Sequence, residues 1–182
     1  MSYNKYFEEY VDSISNLLKN IDKNLINETV DLIKKKAKDN GTVFIVGNGG
    51  SSSIASHVSV DFVKSAKIRS TTFNNSNLIT CFANDYDYEN WVKEAIKAYC
   101  FDHDLIILIS SSGQSQNMIN AAKYCKDNNI DLITLSGFKK NNELKNLGKI
   151  NYYIESNDYN YVEMAHHIIL VSIVDIIAKK NL

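Results

Sequence analysis

Four short apolar runs constrain this chain more than any other feature. They are TVFIVG (42–47), LIILIS (105–110), DLITLSG (131–137) and INYYIES (150–156). Three are rich in β-branched or aliphatic residues without polar alternation, the mark of strands buried on both faces of a parallel sheet. Stretches with helical periodicity follow at 51–64, 116–128 and 159–180. Strand, glycine- or serine-rich turn and helix in repetition predict an α/β fold with helices on both faces of the sheet. Ligands in such sheets bind at the carboxyl ends of the strands. Residues 70–83 are open to either a further strand or a short helix.

Residues 1–40 read as two amphipathic helices. Tyr6, Val11, Ile14, Leu17 and Leu18 mark the first; Leu25, Val30, Leu32 and Ile33 mark the second, which Asn40-Gly41 closes. The expectation is one domain, residues 1–182, with 1–40 serving oligomerisation and 41–182 forming the α/β core. With 45% hydrophobic residues, a sizeable core fits this length. A net charge of -1, with no long run of one sign, argues against nucleic acid or a membrane surface as partner. No apolar segment opens the chain and no run of about 20 apolar residues occurs, so a cytoplasmic protein is expected. Cys81, Cys100 and Cys125 read as reduced core thiols, with no CxxC pair for zinc or redox work.

Two strand exits carry the chemistry. In GNGGSSS (47–53), glycines allow close backbone approach and serines supply hydroxyls at a helix start. In SSSGQS (110–115), Ser110, Ser111, Ser112 and Ser115 surround one glycine before a helix. Hydroxyls and free N–H groups there suit a phosphate dianion. Ordinary βα turns also favour Gly and Ser, but two such turns in one parallel sheet favour the ligand reading. Neither turn fits the P-loop or dinucleotide pattern, so no nucleotide cofactor is expected.

VGNGGSSSIASH (46–57), ITCFANDYDYE (79–89), ISSSGQS (109–115) and LITLSG (132–137), in this order, resemble the sugar isomerase (SIS) family, and more narrowly the sedoheptulose-7-phosphate isomerases. The similarity runs from about residue 10 to 180. It implies a three-layer αβα sandwich with a five-stranded parallel sheet, and a homotetramer with active sites at subunit interfaces. It also implies isomerisation of sedoheptulose 7-phosphate to a heptose 7-phosphate for lipopolysaccharide or capsule synthesis. By that resemblance, Ser51, Ser110, Ser111, Ser112 and Ser115 match phosphate-binding positions, with Ser111 and Gln114 replacing a usual threonine and asparagine. Asn48, beside Gly49, matches a residue on the sugar hydroxyls. Asn75 stands where an aspartate usually faces substrate, and Asn84-Asp85-Tyr86 keeps a structural motif. His57 matches a zinc-binding histidine, Asp61 stands for a general-base glutamate, and Glu163 replaces a zinc-binding glutamine. Val171 occupies the place of the catalytic histidine.

Helix geometry offers a substitute. Positions four apart share a face, so His57 pairs with Asp61, and Glu163, His167 and Val171 line one stripe. His167 is the nearest histidine able to serve for the one missing at Val171, whereas His166 points about a quarter turn away. One expectation is a zinc site of His57, Asp61, Glu163 and His167, donors adequate for that metal; its bland counterpart is a polar pocket in which His167 binds a carboxylate. The other is that Asp61 or Glu163 moves a proton between adjacent carbons while His167 shuttles protons between oxygens. The leading activity is therefore a phosphosugar isomerase. The alternatives are a phosphosugar- or partner-binding protein without turnover, and an isomerase or epimerase for another phosphosugar.

Overall fold

The strand runs become the centre of the molecule. The computed structural model describes residues 2–179, within which β1 (Val43–Gly47), β2 (Ser70–Thr71), β3 (Leu105–Ser110), β4 (Asp131–Gly137) and β5 (Ile150–Ile154) form one sheet. Its order is β2-β1-β3-β4-β5 and every pairing is parallel. The open segment 70–83 resolves into both alternatives: β2 has two residues, and LITCFA lies in a helix. At only two residues, β2 is too short to leave an alternating or continuous apolar pattern.

Alternation along the strands divides the core. Val43, Ile45, Leu105, Ile107, Ile109, Ile133 and Leu135 face one side; Phe44, Val46, Ile106, Leu108 and Leu132 face the other. The first side is covered by α2 (Lys23–Lys38), α3 (Gly50–Lys64) and α7 (Tyr159–Lys179), the second by α4 (Ser76–Tyr86), α5 (Trp91–Tyr99) and α6 (Gln116–Asp127). This is the expected αβα sandwich. The sequence reading did not find α5, a short helix whose buried Trp91, Val92, Ala95 and Ile96 form one face.

α7 explains its own apolarity. Val162, Ala165, Ile169, Leu170, Ile173, Val174 and Ile177 recur at helical spacing and are buried under the sheet. Length and composition alone would let this 21-residue helix cross a bilayer, but its apolar stripe is used as core. α1 (Tyr3–Lys19) is different. Ser2 caps it by accepting from the Lys5 N–H, yet the helix has no buried residue, and Tyr3, Tyr6, Phe7 and Val11 are exposed.

The cysteine expectation needs correction. All three thiols are free, but only Cys125 is buried; Cys81 is exposed and Cys100 intermediate. Cys81 lies on α4, which has no buried residue and presents an open face. Burial pushes the Cys125 thiol up to about 12, so it behaves as a small apolar group.

Candidate functional site

The sheet order fixes where a ligand crevice opens. From β1 the chain moves to β2 on one side, then returns to β3 on the other. The carboxyl ends of β1 and β3 therefore flank the point where the winding reverses, the usual ligand position in open α/β sheets. The two predicted turns follow these two strands, which places GNGGSSS and SSSGQS side by side.

The first turn is held by asparagines. Gly47 donates its N–H to Asn74 Oδ1 at 3.2 Å, and Asn74 Nδ2 donates to the Gly47 carbonyl at 2.7 Å. Asn74 thus pairs the end of β1 in place of a longer β2. Gly49 turns the backbone at φ 54°, a conformation glycine adopts without a Cβ penalty. Ser51 is buried in the first turn of α3 and packs against Gly47, which has no room for a side chain. Asn48 forms a reciprocal amide pair with buried Asn117 of α6, both bonds at 2.9 Å. Asn117 was missed because an asparagine near a helix start reads as turn chemistry.

In the second turn, Ser110 Oγ donates to Ser115 Oγ at 3.1 Å, and Ser112 Oγ accepts from the Gln114 N–H at 3.2 Å. Ser115 and Gly49 occupy the N-cap positions of α6 and α3, and neither supplies a side-chain cap. Two helix starts beside one crevice thus keep N–H donors available to an anion. Fully buried Asn142 supports the turn from beneath, giving Nδ2 to the Gly137 and Lys139 carbonyls and accepting the Lys145 N–H. Gly113, at φ 64°, sits directly on its side chain, so a Cβ there would collide with Asn142.

The acidic and imidazole groups lie along the seam between α3 and α7. Ser111 Oγ donates to Glu163 Oε1 at 3.4 Å, and the Glu163 carboxylate packs against Gly50 so closely that a methyl group there would displace it. Glu163 thus touches both turns at once. Farther along the seam, His57 Nδ1 and His167 Nε2 are 2.8 Å apart, and His57 Nε2 is 3.2 Å from Asp61 Oδ2. With Asp61 accepting from His57 Nε2–H, the tautomer that satisfies both contacts has His57 Nδ1 accepting from His167 Nε2–H. That leaves His167 Nδ1 as the basic end of an Asp61–His57–His167 chain. Burial, and then His57, holds the His167 pKa below its ordinary value, with Asp61 opposing. Val171 is partly buried against the apolar core instead.

The four predicted metal ligands therefore separate into a trio and a single carboxylate. Both ring nitrogens of His57 are engaged, and among the described residues no group of three or more His, Cys, Asp or Glu is arranged to hold a metal ion. Asn75 is the N-cap residue of α4 and lines clefts at the β2 edge with Thr71 and Thr72. His166, one residue from the chain of imidazoles, is fully buried, with Nε2 3.2 Å from the Ser136 carbonyl.

A family model described as SIS domain matches residues 5–137. The chain belongs to the SIS domain family. It is 32% identical over 175 residues to a phosphoheptose isomerase of Thermodesulfovibrio yellowstonii, covering 87% of this chain and 86% of that protein. Among solved structures, phosphoheptose isomerase from Neisseria gonorrhoeae superposes with a TM-score of 0.85 at 19% identity over 96% of each chain. One from Francisella tularensis gives 0.84 at 21% identity, covering 97% of this chain and 96% of that one. At those identities the superpositions establish the shared fold.

One substitution separates the seam from the fold in this SIS protein. Gly50 lies in a helical first turn without a positive φ, so alanine suits its backbone. Its methyl group, however, takes the place of the Glu163 carboxylate. Gly50→Ala is expected to leave the unfolding midpoint within a few degrees of the parent. Turnover falls on the order of tenfold to a hundredfold, because about 1 Å of misplacement costs that much. Thermal unfolding beside steady-state kinetics checks both halves.

Proposed function

We propose that this SIS protein interconverts the ketose and aldose forms of a phosphosugar, with sedoheptulose 7-phosphate and a heptose 7-phosphate as the pair. The observation that carries this reading is the Glu163 carboxylate, in contact with both crevice turns. An ester phosphate accepts hydrogen bonds from the 110–115 turn and the α6 N-terminus. The carbonyl end of the sugar then lies toward the α3–α7 seam. Glu163 takes the proton from C1 of the ketose while the carbonyl oxygen gains one, giving a 1,2-enediol. Return of a proton to C2 and loss of one from O1 give the aldose, so no oxidant or reductant is required. His167 Nδ1 carries the oxygen-bound proton, with Asp61 stabilising the charge through His57.

Several finer readings accompany it. His57, Asp61, Glu163 and His167 are donors that suit zinc, but seating an ion there requires His57 to release Asp61 or His167 and Glu163 to leave Ser111. No step above passes through a metal. Elemental analysis of protein purified without chelator, with His57→Ala as control, tests for the ion. The exposed Tyr3, Tyr6, Phe7 and Val11 of α1 and Ile168 of α7 fit burial between copies of a homotetramer, which light scattering tests. A cytoplasmic place in surface-polysaccharide synthesis follows from the same reading.

Incubation of sedoheptulose 7-phosphate with the protein in D2O tests the chemistry directly. Deuterium entering C1, followed by NMR, is the expected result. Binding without exchange would leave a phosphosugar sensor, a reading that the valine at position 171 favours.

A further inference from the structure

Tyr88 lies in the turn between α4 and α5, and none of the chemistry above uses it. The residue is 55% exposed, yet its hydroxyl donates to Asn48 Oδ1 at 3.3 Å. Asn48 Oδ1 also accepts from Asn117 Nδ2, so both of its lone-pair directions are engaged. Asn48 Nδ2 donates one hydrogen to Asn117 Oδ1 and keeps the second. Tyr88 Oη, having donated its only hydrogen, retains acceptor capacity. Asn48 and Tyr88 thus present a donor next to an acceptor, which matches a sugar hydroxyl, itself both donor and acceptor.

The turn is built to hold Tyr88 there. Asp87 adopts φ 64° and ψ 158°, a region that side chains other than glycine rarely occupy. Such backbone strain persists only where surrounding contacts enforce it. They come from α6, one turn beyond Asn117: Asn120 Nδ2 donates to the Glu89 carbonyl at 2.9 Å. α6 therefore fixes Asn48 through Asn117 and the Tyr88 turn through Asn120.

We propose that Tyr88 is a specificity-determining residue, which contacts a hydroxyl of the sugar chain jointly with Asn48 at the β1–β3 crevice. This rests on the crevice being the phosphosugar site. The phenol sets which atom of Asn48 is left to the ligand: with it, a lone N–H; without it, an exposed acceptor as well. The 110–115 turn, which receives the phosphate, shares no hydrogen bond with Tyr88.

Tyr88→Phe tests this, because the ring and its packing stay while the hydroxyl goes. Affinity for sedoheptulose 7-phosphate is compared with affinity for inorganic phosphate by calorimetry, and KM with kcat where turnover occurs. The sugar's dissociation constant and KM are expected to rise about five- to tenfold, the worth of one hydrogen bond. The phosphate dissociation constant and kcat are expected to stay within about twofold of the parent. Unchanged sugar affinity would overturn the proposal, as would equal weakening of sugar and phosphate. If the parent binds the sugar but gives no deuterium exchange, the isomerase reading fails while the affinity ratio still decides Tyr88. If the parent binds neither sugar nor phosphate, both fail.

Discussion

Glu163→Gln is expected to reduce deuterium exchange and turnover by on the order of a thousandfold while the protein stays folded. The argument is geometric. Glu163 is the carboxylate that touches both crevice turns, through Ser111 Oγ and through its packing on Gly50. Asp61 is committed to His57, and a chain of two imidazoles separates it from the free end at His167. A glutamine keeps the shape and can still accept from Ser111, so packing and ligand binding persist. What it lacks is the ability to take a proton. The expected pattern is a lowered kcat with KM nearly unchanged, as for a group that acts only in the transition state. Asp61→Asn is the comparison: it removes a charge that supports His167 and is expected to cost about tenfold. If Glu163→Gln keeps exchange near the parent rate while Asp61→Asn loses it, the base is Asp61 and the roles exchange. Affinity measured on the same samples separates loss of chemistry from loss of binding.

The residues differ in how plainly the sequence announces them, and the reasons are physical. LIILIS and the LITL of DLITLSG are buried residue after residue, because both faces of a central parallel strand are covered. The exits of TVFIVG and LIILIS carry visible Gly/Ser turns, and the strand order then sets those two exits at the winding reversal. β2 leaves no such mark, because much of its pairing work is done by the side chain of Asn74. Buried Asn117 and Asn142 were not legible for a related reason. Asparagine ordinarily signals a turn, and only the folded chain shows an amide spent inside on another amide or on carbonyls. The i, i+4 spacing sets Asp61 beside His57 on α3, but the approach of His167 from α7 is a tertiary contact. The spacing could not show that Glu163, on the same stripe of α7, would meet Gly50 and Ser111. Where α7 meets the start of α3, the glycine leaves room for that carboxylate, a tertiary fact with no local signature.

A second large effect concerns stability and pH. His166 is fully buried with its Nε2–H on the Ser136 carbonyl, and Nδ1 has no hydrogen-bond partner, as is also true of the nearby Ser136 Oγ. Burial drives the imidazole pKa down to about 4, with the Ser136 carbonyl opposing. In the unfolded chain the group takes up a proton near its ordinary value of about 6.5. Between those values the unfolded state holds more protons than the folded one, so stability rises with pH across this window. The contribution of neutral His166 is complete above about pH 6.5 and is lost as the pH falls toward 4. Taking the parent from about pH 7 to pH 4.5 is expected to remove roughly 2–3 kcal/mol from the unfolding free energy. His167, also held below its ordinary value, adds in the same direction. The Asp131 pKa, which burial would raise, is held down by bonds from Lys149 and Lys36, so its loss begins only at more acid pH. His166→Gln keeps an amide donor for the Ser136 carbonyl and cannot titrate. Urea unfolding of parent and variant at several pH values is the measurement. The variant is expected to be less stable than the parent at pH 7, because the amide fills the site imperfectly, and to show a much shallower slope between pH 6.5 and 4.5. An equal slope in both proteins would place the sensitivity elsewhere and show that His166 does not stay neutral in the fold.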